Sequence, residues 1–433
     1  MKLVILDDDP TGTQAVHSLE ILTVWDVPTL RDALSDERPA FFILTNSRAM
    51  PPKDARVLNK TIAANLKEAA GDIPVTVVSR SDSTLRGHFP LETDVLNETL
   101  GPFHATLLIP YFEAGGRITI DDVHYVREGD QLTPAAETPF AKDKAFGYSH
   151  SNLRDYVVEK TAGRVSRGEV ISISNGLSPE ATAAQLVQAP QGSYVVVSIA
   201  NPAELGSFRE GLRLAEAQSK RFLFRTAADF IPAYIGQERK PLLDHSALER
   251  GSNGGLIVAG SYVPKTTQQL EQLRKDPTIK VLELSVPNLL NEQRVLTLQS
   301  AAKRLHQELT TGQDVLLMTS RELITSDNPT ESLHIGESIS TALVELVQTL
   351  EVKPAWLIAK GGITSSDIAT KALGIRRAEV LGQLLPGVPV WSADAGSKFP
   401  NLPYILFPGN VGTADSLREA VEKAKETPRR SSS

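Results

Sequence analysis

The chain contains no cysteine, which removes disulfides, thiolate nucleophiles and cysteine-ligated zinc from consideration. It also lacks any apolar run approaching the roughly 20 residues that cross a bilayer, so no membrane partner is expected. The opening Met1–Gly12 has one Lys, a short apolar run and then three acids, too little for a signal peptide. It reads as a mature cytoplasmic start. An excess of basic charge is missing too: 45 Lys and Arg stand against 52 Asp and Glu, a net charge of -7. That argues against a nucleic-acid partner, while a local Arg cluster remains free to take a small anion. No Walker A pattern (G-x-x-x-x-G-K-[ST]) occurs, and no G-x-G-x-x-G opens a helix after a strand. The chain is therefore neither a P-loop enzyme nor an obvious NAD-binding Rossmann protein. The eight His, His124 among them, show no metal-ligand spacing, so His124 is expected to be structural and the metal ligands stay unknown.

What is present is a soluble globular pattern. Hydrophobic residues make up 41% and charged residues 22% of 433, a length that suggests two domains. Short β-branched runs alternate with amphipathic stretches. Strands are expected at Lys2–Asp7, Phe41–Asn46, Val75–Arg80, Thr106–Pro110, Val170–Ser174 and Tyr194–Ser198. Further strands are expected at Leu256–Ser261, Val281–Ser285, Val315–Ser320, Trp356–Lys360 and Tyr404–Pro408. Helices are expected at Lys53–Ala70, Ala203–Ser219, Glu292–Leu309, Thr330–Leu350 and Thr413–Lys425. Short, wholly apolar strands between helices predict α/β domains with mostly parallel sheets. Pro232, Gly236, Pro241 and the polar run Glu249–Gly254 interrupt the pattern. The expected division is 1–230, a linker at 231–254, a second domain at 255–426 and a disordered tail at 427–433. Tyr111–Ser149 has little periodicity and reads as a long functional or mobile loop.

In open α/β sheets, ligands sit at the carboxyl ends of strands. The first strand ends in Asp7-Asp8-Asp9-Pro10-Thr11-Gly12. Adjacent carboxylates resist joint ionisation unless a cation or a bound hydroxyl compensates them. Asp8 and Asp9 are thus candidates for a base, a hydroxyl contact or a Mg²⁺ contact, against the alternative of a helix-capping turn. The next two strand ends add Arg48, Arg80 and Arg86, whose guanidinium forks suit a carboxylate. They also add Asp82, Ser83, Thr84 and Leu85, and Arg117 follows the fourth strand. Acids, hydroxyls and arginines at successive strand ends point to a polyhydroxy acid. The second half carries three glycine turns between strand and helix, at Gly260-Ser261, at Gly361-Gly362-Ile363-Thr364 and at Gly409-Asn410-Val411-Gly412. Such turns present bare N–H groups to phosphates, and three together suggest a nucleotide.

These residues resemble the four-carbon acid sugar kinase family over nearly the whole chain. The resemblance rests on the Asp8–Gly12 turn, Ser47-Arg48, and above all Asp82-Ser83-Thr84-Leu85-Arg86-Gly87. It implies an N-terminal sugar-binding domain in which Asp8, Arg48 and Asp82–Leu85 contact a sugar acid. It implies a C-terminal domain that binds ATP near Ser261, Gly361–Thr364 and Gly409. The chain departs from the family pattern at Pro10, Thr13-Gln14, Arg80-Ser81 and an extra Gly at 115–116, all on the sugar side, which leaves the particular acid open. The expected activity is ATP-dependent phosphorylation of a terminal hydroxyl, with Mg²⁺ on the ATP phosphates and the domains closing over the substrates. A homodimer is held open. The rivals are an NAD-dependent hydroxy-acid dehydrogenase and a non-enzymatic sugar-acid sensor.

Overall fold

The computed structural model describes residues 2–244, 246, 248, 251–260, 263–321 and 329–425. Ser261 and the 427–433 tail lie outside the described residues. The chain divides into two compact units, Met1–Arg239 and Lys240–Ser433.

The strands of the first unit are β1 (Lys2–Asp7), β2 (Leu19–Leu22), β3 (Ala40–Leu44), β4 (Val75–Arg80) and β5 (Ala105–Ile109). There follow β6 (Arg117–Ile120), β7 (Val123–Glu128), β8 (Gln131–Pro134), β9 (Ile171–Ile173), β10 (Ser193–Val197) and β11 (Phe222–Thr226). Eight of them form a parallel sheet in the order β2-β3-β1-β4-β11-β5-β10-β9. Every residue of β1 is buried, as a continuous apolar run with helices on both faces requires. The helix Pro52–Ala70 lays Ile62, Ala63, Leu66 and Ala69 against Val4, Leu6, Phe41, Ile43 and Val77. Truncating Leu66, which is 0% exposed, to Ala costs about 2–5 kcal/mol.

After β1 the chain builds β2 and β3 on one side and then crosses to β4 on the other. Strand order reverses there, which opens a crevice at the carboxyl end of β1, where the Asp run lies. The region expected as a loop, Tyr111–Ser149, instead holds a three-stranded antiparallel sheet, β6-β7-β8. Its two connections are tight turns through Asp121-Asp122 and Gly129, all with positive φ, so the turn residues hid a sheet made of very short strands. The stretch expected as a linker, 231–254, begins inside the helix Phe230–Ile235, whose Phe230 and Ile231 are buried.

The second unit contains β12 (Leu256–Ala259), β13 (Ile279–Leu284), β14 (Asp314–Thr319), β15 (Leu357–Lys360), β16 (Arg377–Leu385), β17 (Val388–Ala393) and β18 (Pro403–Phe407). The order is β13-β14-β12-β15-β18-β17-β16. The first five run parallel, and β17 is antiparallel to both neighbours. The β16–β17 hairpin turns at Pro386-Gly387, where Gly387 has φ +79°. Pro followed by a positive-φ Gly suits the two central places of a type II turn. Both units are α/β with mostly parallel sheets, as the sequence predicts.

Candidate functional site

Three adjacent carboxylates at the end of β1 are kept apart by arginines. Asp7 is fully buried and accepts from Arg80 NH1 at 3.1 Å and from the Asp9 backbone N–H at 3.2 Å. Burial pushes its carboxyl up to about 7, against the pull of Arg80. Asp8 is also buried, and Arg48 grips it with two donors, Nε at 3.2 Å and NH2. The Ser81 hydroxyl donates to Asp8 Oδ2 at 2.6 Å. Burial alone would raise Asp8, but Arg48, Arg225 and Arg80 outweigh it and hold Asp8 below the usual carboxylate range. Asp9 is more open, at 20% side-chain exposure, with Arg48 NH1 at 3.4 Å. It also caps the short 3₁₀ turn Pro10–Ala15, accepting from the Thr11 N–H at 2.9 Å. The turn thus combines an ion-paired pair of acids with a capping acid. Arg48, expected as a substrate partner, lies against Asp8 and Asp9.

The loop after β4 is held from behind. Asp82 accepts from Arg86 Nε at 2.7 Å and from the Thr84 hydroxyl. Burial would raise Asp82, but Arg48 and Arg86 keep it well below the carboxylate range. The carbonyls of Ser83, Thr84 and Leu85 each accept from a side chain: His124 Nε2 at 2.7 Å, Tyr148 OH at 2.8 Å and Tyr156 OH at 2.8 Å. Leu85 has φ +68°, a strained conformation for a branched side chain, and these donors sustain it. Burial drives His124 down to about 4, so it is neutral at pH 7. With Nε2–H donating to Ser83, Nδ1 accepts from Thr119, 3.0 Å away. Gly87, at φ +123°, closes the loop where a Cβ would stand 2.5 Å from Ser81 Oγ.

Arg86 and Arg117 both lie over the Phe140 ring, at 5.2 and 5.5 Å from its centre. Arg86 is paired with Asp82, and Asp143 stands 3.7 Å off. Arg117 has no ion pair among the described residues, its Nε is buried without a partner, and burial depresses its pKa. Asp82 and Glu128 act on Arg117 electrostatically, but neither pairs with it.

In the second unit, Gly361 caps the helix Gly362–Asp367 with φ +105°. The positive φ sits on Gly361 rather than on Gly362. Ile363 beside it is 59% exposed, whereas Thr364 is buried. The Gly409–Gly412 turn is anchored by Gln269, whose Nε2 donates to the carbonyls of Val411 at 2.9 Å and Thr413 at 2.8 Å. Gly412, at φ +81°, has no room for a Cβ, which would meet Ser416 at 2.5 Å. Asn410 is exposed. The Gly361–Thr364 and Gly409–Gly412 turns follow the adjacent parallel strands β15 and β18.

Two family models match this chain. One, described as a sugar-binding N-terminal domain, spans residues 3–234, and the other, a nucleotide-binding C-terminal domain, spans 256–417. The chain belongs to the four-carbon acid sugar kinase family. Its relatives include a D-erythronate kinase of Heliobacterium modesticaldum, 23% identical, with 97% of this chain and 96% of that protein covered. A 3-oxo-tetronate kinase of Pseudomonas savastanoi pv. phaseolicola is 24% identical, with 95% and 92% covered. Among solved structures, a Salmonella typhimurium LT2 protein superposes with TM-score 0.70 at 20% identity, covering 97% of this chain and 98% of that one. A Haemophilus influenzae protein does so with TM-score 0.65 at 18% identity, covering 97% and 100%. At such identities the two structures share the fold.

Several residues of this sugar kinase family member escape a reading of the sequence. Arg225 at the end of β11 donates to Glu92 at 2.6 Å, to Ser79 at 2.7 Å and to Ser81 at 2.8 Å. It thereby fixes the hydroxyl that holds Asp8. Ser47 also donates to Glu92. Phe140 carries two arginines over its ring, and Lys360 donates to the Gly409 carbonyl. An Arg closing a buried strand, Phe-Leu-Phe-Arg-Thr, was the available signal for Arg225. The others depend on partners remote in sequence. No group of three or more His, Cys, Asp or Glu among the described residues could hold a metal ion. No helix among them is long and apolar enough to cross a membrane.

Proposed function

We propose that this protein transfers the γ-phosphoryl group of ATP to a hydroxyl, the terminal one, of a four-carbon sugar acid such as a tetronate or 3-oxo-tetronate. The observation that carries the reading is Arg117, a half-buried guanidinium with no carboxylate partner among the described residues, beside Arg86 on the Phe140 ring. A cation kept in that state suits an acid substrate. The kinase names of the two curated relatives support the reaction class.

In this reading Arg117 and Arg86 take the substrate carboxylate, and Arg80, Asp82 and the pinned Ser83–Leu85 loop shape the site around its hydroxyls. Asp8, already held by Arg48 and Ser81, fixes the geometry of the turn. Asp9, the more exposed carboxylate, accepts the proton as the substrate oxygen attacks the γ-phosphorus and the bond to the ADP oxygen breaks. Phosphoryl transfer relies on such positioning and charge neutralisation. Gly361–Thr364 and Gly409–Gly412 receive the phosphates. Mg²⁺ bound with the ATP phosphates would neutralise their charge.

A coupled assay of ADP release across four-carbon sugar acids tests the proposal. Turnover with at least one tetronate or oxo-tetronate, dependent on ATP, is expected. ATP binding with no turnover on any sugar acid would overturn it, as would reduction of NAD(P) with the same acids.

A further inference from the structure

Lys360, at the end of β15, is 0% exposed and has no carboxylate against it among the described residues. Its Nζ donates to the carbonyls of Pro408 and of Gly409, the latter at 3.2 Å, and sits 4.4 Å from the centre of the Phe407 ring. Burying an ammonium without a counter-charge is costly, and carbonyls and a ring face offset only part of that cost. A methionine would fill the same space with no such penalty. The charge therefore serves something other than packing.

What it does follows from the two peptides it holds. The described chain has cis bonds only at Phe89–Pro90 and Gly101–Pro102, so the 408–409 and 409–410 peptides are trans. In a trans peptide the C=O and N–H point in opposite directions. Drawing both carbonyls onto Nζ turns the N–H groups of Gly409 and Asn410 away from it. Neither amide donates to an acceptor among the described residues. Consecutive unpaired N–H groups backed by a cation form a concavity suited to an anion.

We propose that Lys360 is a positioning residue for the phosphates: its ammonium turns the Gly409 and Asn410 amides toward the nucleotide and places a positive charge behind them. This rests on the ATP reading above. The role differs from that of a phosphate-contacting lysine, because Lys360 acts through the backbone and stays buried.

The test is isothermal titration of the full chain with a non-hydrolysable ATP analogue, with steady-state kinetics alongside. Lys360→Met should weaken analogue binding at least about tenfold and leave the sugar-acid KM within about twofold. The thermal midpoint of the free protein should not fall. Wild-type affinity in the folded variant, or equal losses for both substrates, would overturn the inference. Failure of the wild-type protein to bind the analogue would overturn the ATP reading itself. Hydrogen exchange on the wild-type chain gives a readout independent of the variant's folding. The analogue should slow exchange at Gly409 and Asn410, and unchanged exchange there would sink the proposal.

Discussion

A Cβ on Gly12 would stand 1.8 Å from Oδ2 of Asp7; the turn closes directly onto the buried carboxylate at the end of β1. Only a residue with no side chain permits that approach. Gly12→Ala must push the turn outward, and overpacking of this kind costs about 1–3 kcal/mol. Because Asp8 and Asp9 lie on the same turn, kcat should fall by more than the loss of stability alone explains. Thermal unfolding and steady-state kinetics on one preparation check this. A variant with wild-type kcat would mean that the turn tolerates displacement.

Asp8 and Asp9 should separate into scaffold and base. Asp8→Asn leaves Arg48 facing a neutral amide in a largely buried pair, and breaking such a pair costs about 3–5 kcal/mol. A lowered denaturation midpoint is expected. Asp9→Asn retains the cap, since Asn caps a helix about as well as Asp. Stability should therefore hold while kcat drops at least about a hundredfold, the lower range for loss of a general base. Wild-type turnover in Asp9→Asn would reduce that residue to its capping role.

Arg117 and Arg86 make a matched pair of tests. Removing Arg117 strands no carboxylate, so Arg117→Ala should leave folding intact and raise the sugar-acid KM by the equivalent of about 2–5 kcal/mol, the range for losing one partner of a buried charge pair. Arg86→Ala should raise the same KM but also lower stability, because Asp82 loses its 2.7 Å partner. Neither should move the ATP KM. A joint rise in both KM values would assign the arginines to the scaffold.

Lys360 should leave a signature in the pH dependence of stability. Burial first, and then Lys265 on the helix Pro264–Leu273, lower its pKa from 10.5 to about 7. Between those values the unfolded chain binds more protons than the native one. This residue's contribution to stability therefore improves as pH rises. The buried charge weighs fully on the fold below pH 7, so Lys360→Met should be more stable than wild type there. The gap should narrow toward pH 10. Denaturant titrations at pH 6 and pH 9 measure it, and a gap independent of pH would contradict the assignment.

Much of the frame was open to reading in the sequence. β1 and β4 fall at Lys2–Asp7 and Val75–Arg80 because uninterrupted β-branched runs bounded by charge leave little choice of register. β11, Phe222–Thr226, is hard to read in the sequence because it follows closely on a helix and carries Arg225, which looks like a surface charge, next to its last residue. β6–β8 were hidden by their turn residues. Asp8, Asp9, Arg48 and Arg86 were legible as chemistry, yet who pairs with whom was not. Arg48 and Asp8 lie 40 residues apart, and only the parallel pairing of β1 with β3 brings them together. Lys360 could not be singled out from Ala359-Lys360-Gly361, because the carbonyls that define it arrive 48 and 49 residues later.

The Ser83–Leu85 backbone is held by His124, Tyr148 and Tyr156, which offer it only their polar tips. In the proposed site the shape of this loop is thus set by side chains from residues 124–156 as well as by its own sequence. Substitutions in that segment would move the loop by fractions of an ångström while every contact residue stayed the same. Two proteins with identical loops could therefore prefer different sugar acids, and a change of preference could arise by drift in the supports before any selected change in the site.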